Sequence, residues 1–117
     1  MRSPQVGVDI VEIKRLAQQA HNPRFLKRVY TAEEVAYCRA RKHSAQHYAV
    51  RFAAKEAVWK AVGNRKLLHR DIQVWNRPDG KPEVRFPARF KGLARHVSIS
   101  LSHGRDYAVA MAIFHKG

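Results

Sequence analysis

Arg51-Phe52-Ala53-Ala54-Lys55-Glu56-Ala57-Val58-Trp59-Lys60-Ala61-Val62-Gly63 decides how the rest of this chain is read. Alanine has the best helix propensity, so the stretch reads as the C-terminal half of a helix. Ser44 serves as its N-cap, and Gly63 is the residue type that ends a helix in a left-handed turn. Residues three and four apart share a helix face, which aligns Ala49, Phe52, Ala53, Glu56 and Lys60. Glu56 therefore stands on a stripe that is otherwise small or apolar. Two readings of it stay open. Glu56 and Lys60 make a solvated i,i+4 pair, worth a few tenths of a kcal/mol; or the carboxylate holds a hard cation while the lysine meets phosphate oxygens.

Working outward, 117 residues suit one domain with a modest core. Lys and Arg number 23 against 9 Asp and Glu, a net charge of +14. Such a chain seeks polyanions: nucleic acid, a phosphorylated cofactor, an acidic protein or a membrane surface. The cations are spread along the sequence, so they belong to a folded surface. Cys38 is the single cysteine, which rules out an internal disulfide and suits a reducing compartment. The beginning, MRSPQVGVDI, holds no continuous apolar segment, and no stretch reaches the length of a membrane span. A cytoplasmic protein is expected. There is no Walker loop, dinucleotide fingerprint, paired-cysteine zinc site or His-Glu-x-x-His, and the seven histidines lack ligand spacing.

Toward the N-terminus, Gln5 to Asp9 alternates as a short strand, and from Ile10 the spacing Ile10, Ile13, Leu16 predicts a helix. Asp9 is then either that helix's cap, with Glu12 completing a capping box, or an acid aimed into a cleft as a metal ligand. Pro23 breaks the helix, and Arg24 to Tyr30 follows as a basic and apolar segment in which Phe25 and Leu26 interleave with cations. Thr31-Ala32-Glu33-Glu34 is a capping box for a helix to about Arg41. Beyond Gly63, Asn64 to Arg70 is a short basic connection. Asp71 to Trp75 and Glu83 to Phe86 read as strands joined by Asn76-Arg77-Pro78-Asp79-Gly80. Pro87 to Arg95 reads as a short helix. His96 to Ser102 alternates strictly, with Val97, Ile99 and Leu101 opposite Ser98, Ser100 and Ser102. Ser102 and His103 are either the polar side of a half-buried sheet or donors to phosphate. His103 to Asp106 turns into a last apolar strand, Tyr107 to Phe114.

Three blocks in order resemble the 4′-phosphopantetheinyl transferase superfamily, in its short bacterial holo-[acyl-carrier-protein] synthase type. They are Gly7-Val8-Asp9-Ile10-Val11-Glu12-Ile13, then Arg51 to Ala57 through Lys60-Ala61-Val62-Gly63, and Val97 to Ala110 with Ser102-His103. Asp79-Gly80-Lys81-Pro82 in the hairpin extends the likeness over nearly the whole chain. The resemblance implies an α+β fold, residues 1–117 as a single domain with a long central helix packed on an antiparallel sheet. It implies transfer of the phosphopantetheine arm of coenzyme A, the co-substrate, to a serine of acyl carrier protein, as used in fatty acid biosynthesis. Adenosine 3′,5′-bisphosphate leaves. By the same resemblance Asp9 and Glu56 are Mg²⁺ ligands, and Lys60 reaches the coenzyme A pyrophosphate, making these three the catalytic set. Arg51, Ser102 and His103 contact the remaining phosphate or the nucleotide. Arg15, Arg24, Phe25 and Arg28 match the docking region for the acidic carrier protein, which accounts for the charge. A homotrimer with active sites between subunits is implied, with no part for nucleic acid or membrane. Glu12 and a metal-bound water both stand as general base. The connection Asn64 to Arg70 is shorter and more basic than the glycine-containing loop usual in the family. The alternative from another class, a basic nucleic-acid-binding module, gives Asp9 and Glu56 no role and predicts affinity that falls steeply with salt.

Overall fold

The computed structural model describes residues 3–115. The alanine-rich stretch forms the long helix α4, with α1 to α3 before it: α1 spans Ile13–Gln19, α2 Pro23–Val29, α3 Ala32–Arg39 and α4 Ser44–Val62. Strand β1 (Gln5–Glu12) precedes the helices, and β2 (Gln73–Asn76), β3 (Pro82–Arg85), β4 (Val97–His103) and β5 (Tyr107–Phe114) follow. The main sheet is antiparallel in the order β1-β5-β4, while β2 and β3 make a separate hairpin. This is the expected α+β arrangement, a long helix laid on an antiparallel sheet. No helix among the described residues is long and apolar enough to cross a membrane.

Small side chains set how close the layers come. Ala53, Ala54, Ala57 and Ala61 of α4 are buried against Ala110 and Ala112 of β5, with Ile72, Val74 and Val84 closing the hairpin side. Gly7 takes the approach to its limit: a Cβ there would stand 1.9 Å from the carbonyl oxygen of Ala57. Gly63 ends α4 at φ 69°, as its residue type predicts, and its N–H bonds the Trp59 carbonyl.

The sheet's other face is bare. Val6, Val8 and Ile10 of β1 are 60%, 58% and 63% exposed, an unusual state for three β-branched residues in a row of alternate positions. Val8 pairs with Met111 and Glu12 with Tyr107, both also exposed, so the apolar surface continues onto β5. Ser98, Ser100 and Ser102 pair with Ile113, Met111 and Val109 and edge the same face.

Several expected boundaries shift. Strand β1 runs on to Glu12 instead of yielding to a helix at Ile10, because Ile10 and Val11 complete the ladder with Val109 and Ala108. Asp9 is thus mid-strand and not a helix cap; Glu12 occupies the cap position of α1 without a side-chain bond. His43 takes the cap position of α4, making Ser44 its first residue. The basic segment after Pro23 is helical, with the Asn22 side chain accepting from the Arg24 N–H. The Thr31–Glu34 capping box forms as read, but its helix ends at Arg39. Pro87 to Arg95 yields two single 3₁₀ turns, Ala88–Phe90 and Ala94–His96, since Gly92 at φ 81° interrupts any helix.

Candidate active site

The near-contact of Gly7 with α4 fixes what stands beside it. Two residues along β1, Asp9 faces the same way as Gly7, toward the helix. Its Oδ1 lies 3.4 Å from Lys60 Nζ, which also donates to the Val8 carbonyl at 3.0 Å. Burial raises the Asp9 carboxyl above the ordinary aspartate value, Lys60 opposes that shift, and the charge of Glu56 adds to it. The two carboxylates are therefore near enough to repel. Lys60 pairs with Asp9 and not with Glu56, so the solvated i,i+4 pair does not form. Glu56 meets His69 instead, Nε2 to Oε1 at 3.3 Å.

Beneath this surface lies a residue that sequence reasoning passed over. Lys55 is fully buried, and its three N–H groups reach Glu34 Oε1 at 2.7 Å, the Ile72 carbonyl at 2.6 Å and the His69 carbonyl at 3.0 Å. Desolvation lowers its pKa, against the pull of Glu34. Glu34 in turn accepts the N–H groups of Thr31 and Val74. One buried ion pair so ties α3, α4 and the start of the hairpin together behind Glu56. The signal available was a lysine in the middle of an alanine run; its partners lie too far along the chain to read.

A second cluster gathers at the other half of α4. The Arg51 guanidinium is buried, donates to Asn76 Oδ1 at 2.8 Å and lies 4.0 Å from the centre of the Tyr37 ring. Arg41 lies 3.7 Å from the same ring centre. Two guanidiniums that close cannot share a face, so Tyr37 is sandwiched. His103 meets Gln46 at 3.0 Å. His47 has its pKa lowered first by burial and then by its surroundings, the Arg51 and Arg41 guanidiniums foremost. Such a cluster suits an anion. Gln46 and Glu56 are ten residues apart on one helix, about 15 Å at 1.5 Å per residue. The structure thus joins Asp9, Glu56 and Lys60, joins Arg51 and His103 in a neighbouring cluster, and separates the two. Ser102 belongs to neither, being on the bare sheet face, and Glu12 also lies on that face, turned away from Asp9. Past Gly63 opens a cleft of about 700 Å³ lined by Asn64, Arg65, Phe90, Lys91 and Arg95 among others.

Of the expected docking residues, Arg15, Arg24 and Arg28 are exposed and form no ion pair among the described residues. Phe25 corrects the reading: it is 7% exposed, packed on Tyr30 and Phe52 with ring centroids 6.2 and 6.0 Å away. Its ring anchors α2 to the core beneath the cations, because a helix this short has no other apolar face to bury than Phe25, Leu26 and Val29.

A family model described as the 4′-phosphopantetheinyl transferase superfamily matches residues 5–112. The chain is 42% identical to a holo-[acyl-carrier-protein] synthase of Geobacter sp. (strain M21), over 94% of this chain and 96% of that one. Its fold superposes on the crystal structure of the Neisseria meningitidis holo-[acyl-carrier-protein] synthase with TM-score 0.83 at 33% identity, covering 96% and 98% of the two chains. The Bacillus anthracis holo-(acyl-carrier-protein) synthase, solved in complex with CoA (3′,5′-ADP), matches with TM-score 0.80 at 32% identity, covering 94% of each.

Proposed function

The chain belongs to the 4′-phosphopantetheinyl transferase superfamily, and from that premise we propose that it is a Mg²⁺-dependent holo-[acyl-carrier-protein] synthase. It moves the 4′-phosphopantetheine group of coenzyme A onto a serine hydroxyl of acyl carrier protein and releases adenosine 3′,5′-bisphosphate. The observation that carries this reading is the meeting of Asp9, Glu56 and Lys60 where β1 presses on α4.

The donor set fits magnesium. Among the described residues no three His, Cys, Asp or Glu side chains gather into a closed cage. Two carboxylates are what Mg²⁺ takes from a protein when it keeps its waters and binds substrate phosphate. Burial and the nearby charge of Glu56 outweigh what Lys60 gives Asp9, which leaves its carboxylate in need of a further cation. When bound by Asp9 and Glu56, the ion supplies Lewis-acid neutralisation of charge developing on the diphosphate. Lys60, already poised over Asp9, supplies a second positive charge that reaches the pyrophosphate and favours departure of the bisphosphate. The serine oxygen forms the new P–O bond as the bond to the nucleotide breaks.

Arg51 and His103 stand in a cluster of cations fit for a phosphate, yet away from Asp9. The bare face of Val6, Val8, Ile10 and Met111 supports an answer to this separation, because exposed apolar patches are the kind of surface that subunit contacts cover. Covered by further copies in a homotrimer, it sets the cationic cluster of one subunit against the carboxylates of the next, with Ser102 at the seam. Arg15, Arg24 and Arg28 offer the acidic carrier protein its docking rim, and the reaction takes place in the cytoplasm, where Cys38 stays reduced. The test is mass spectrometry of an apo carrier protein incubated with this chain, coenzyme A and Mg²⁺. A phosphopantetheine mass gain that EDTA abolishes is expected; no gain across several carrier proteins would refute the reading.

A further inference from the structure

The short connection after α4 ends in a turn that is held with unusual firmness. Lys55 Nζ bonds the carbonyls of both His69 and Ile72, and the Asp71 carboxylate accepts the Leu68 N–H at 2.9 Å while taking Arg89 at 2.6 Å. The turn His69–Asp71 is therefore clamped at each end, and the direction of the His69 side chain is fixed with it. Its imidazole lies nearly parallel to two rings of α4: 5.9 Å and 14° from Phe52, and 6.5 Å and 18° from Trp59. Packed against both rings, the imidazole has little freedom to turn about its own axis. Nε2 is shut off from solvent and has no hydrogen-bond partner of good geometry among the described residues. Glu56 Oε1 stands 3.3 Å from it. A buried ring nitrogen without a partner is costly, so a proton carried on Nε2 is best placed against that oxygen.

We propose that His69 is a positioning residue for Glu56: a donor, rigid by stacking and by the Lys55 clamp, that holds one carboxylate oxygen and leaves the other for the cation. The inference rests on the magnesium reading above. A glutamate carboxylate free to turn about its side-chain torsions samples many directions, whereas a cation of strict octahedral preference needs one. Partners behind a metal ligand commonly contribute 10- to 100-fold in metal affinity. Here the partner comes from the very connection whose length and charge depart from the family's usual loop.

The test is calorimetric titration of coenzyme A into the protein with Mg²⁺ and with EDTA, beside thermal unfolding. His69→Phe keeps a ring for the stack and removes the donor. It should match the parent in melting temperature and in binding under EDTA, while the gain in affinity brought by Mg²⁺ falls about tenfold or more. A second pair, His69→Gln and His69→Met, compares a donor with none at equal length and without a ring. Gln should keep most of the gain and Met lose it. A full gain in His69→Phe, or equal behaviour of Gln and Met, would overturn the positioning role. Glu56→Gln in the same titration separates the two levels. If it keeps the metal-dependent gain, the magnesium assignment fails and the His69 role with it; if it loses the gain while His69→Phe keeps it, only the His69 role fails.

Discussion

Replacing Gly7 with alanine tests the join between β1 and α4 most directly. The added Cβ would stand 1.9 Å from the Ala57 oxygen and 2.9 Å from both the Ala57 carbonyl carbon and the Ala61 nitrogen. All three are helix backbone, so no side chain can swing aside. Restoring an ordinary 3.4 Å contact parts strand and helix by about 1.5 Å along that line. Overpacking a core costs about 1–3 kcal/mol, and an obstacle of backbone alone puts Gly7→Ala near 3 kcal/mol. At about 4 °C per kcal/mol for a chain of this size, Tm falls by roughly 12 °C. Turnover suffers more than stability. A displacement of about 1 Å at a reacting centre can cost about a hundredfold, and Asp9 rides on the same strand two residues on. Circular dichroism melting and the initial rate of carrier-protein modification, measured below the variant's Tm, give the two readouts. A variant that melts within 2–3 °C of the parent and keeps half its rate would refute the close-approach argument, since the expected effects are severalfold larger.

Other substitutions and titrations probe separate parts of the molecule. Asp9→Asn should abolish turnover while leaving Tm unchanged or higher. The folded carboxyl's raised pKa means its stabilising contribution is present below the ordinary value of 3.8 and lost as pH rises through the raised one, so the neutral amide removes a penalty at pH 7. A clear fall in Tm would show the carboxylate to be structural. Cys38, whose thiol burial pushes up to about 11, should resist Ellman's reagent at pH 8 in the native protein and react at once in guanidinium. Because that pKa is raised from 9.0, its contribution to stability is lost as pH climbs from 9 toward 11, about 1.4 kcal/mol per unit. Urea melts at pH 8 and 10.5 on Cys38→Ala against the parent read out the difference. Arg15→Glu or Arg24→Glu should raise the carrier-protein KM, an effect that shrinks as salt shortens the Debye length toward about 3 Å at 1 M, with coenzyme A affinity unchanged. Equal loss of both affinities would move the docking face elsewhere.

What could be read ahead of the structure was local. The helix from Ser44 to Gly63, the Thr31–Glu34 cap and the alternation of β4 each declare themselves within a few residues, through propensity, reciprocal hydrogen bonding and period. What could not be read depends on distant pairing. Ile10, Ile13 and Leu16 fall at helical spacing, yet Ile10 and Val11 find ladder partners in Val109 and Ala108, and a hydrogen-bonded strand outweighs a local preference. Phe25 among arginines looks like a docking residue until Phe52 and Tyr30 close over it. Nothing local to Lys55 tells of its burial, because Glu34, the partner that meets it in the core, stands twenty-one positions earlier. Asp9 and Glu56 were legible only through their likeness to a family; neither period nor composition distinguishes them from a cap and a surface acid.

Strand order carries one consequence for how the protein is made. The middle strand of the main sheet, β5, is the last to be synthesised, while β1 is the first. On the ribosome the nascent β1 and β4 have no neighbour to zip against until residues 107–114 emerge. Such late, long-range closure is slow and prone to misassociation. The register also shows the remedy: Gln5 and Phe114 lie side by side, so a few residues of linker would fuse the end of β5 to the start of β1. Opened instead in the turn between β2 and β3, that permuted chain would turn its slowest pairing into a hairpin.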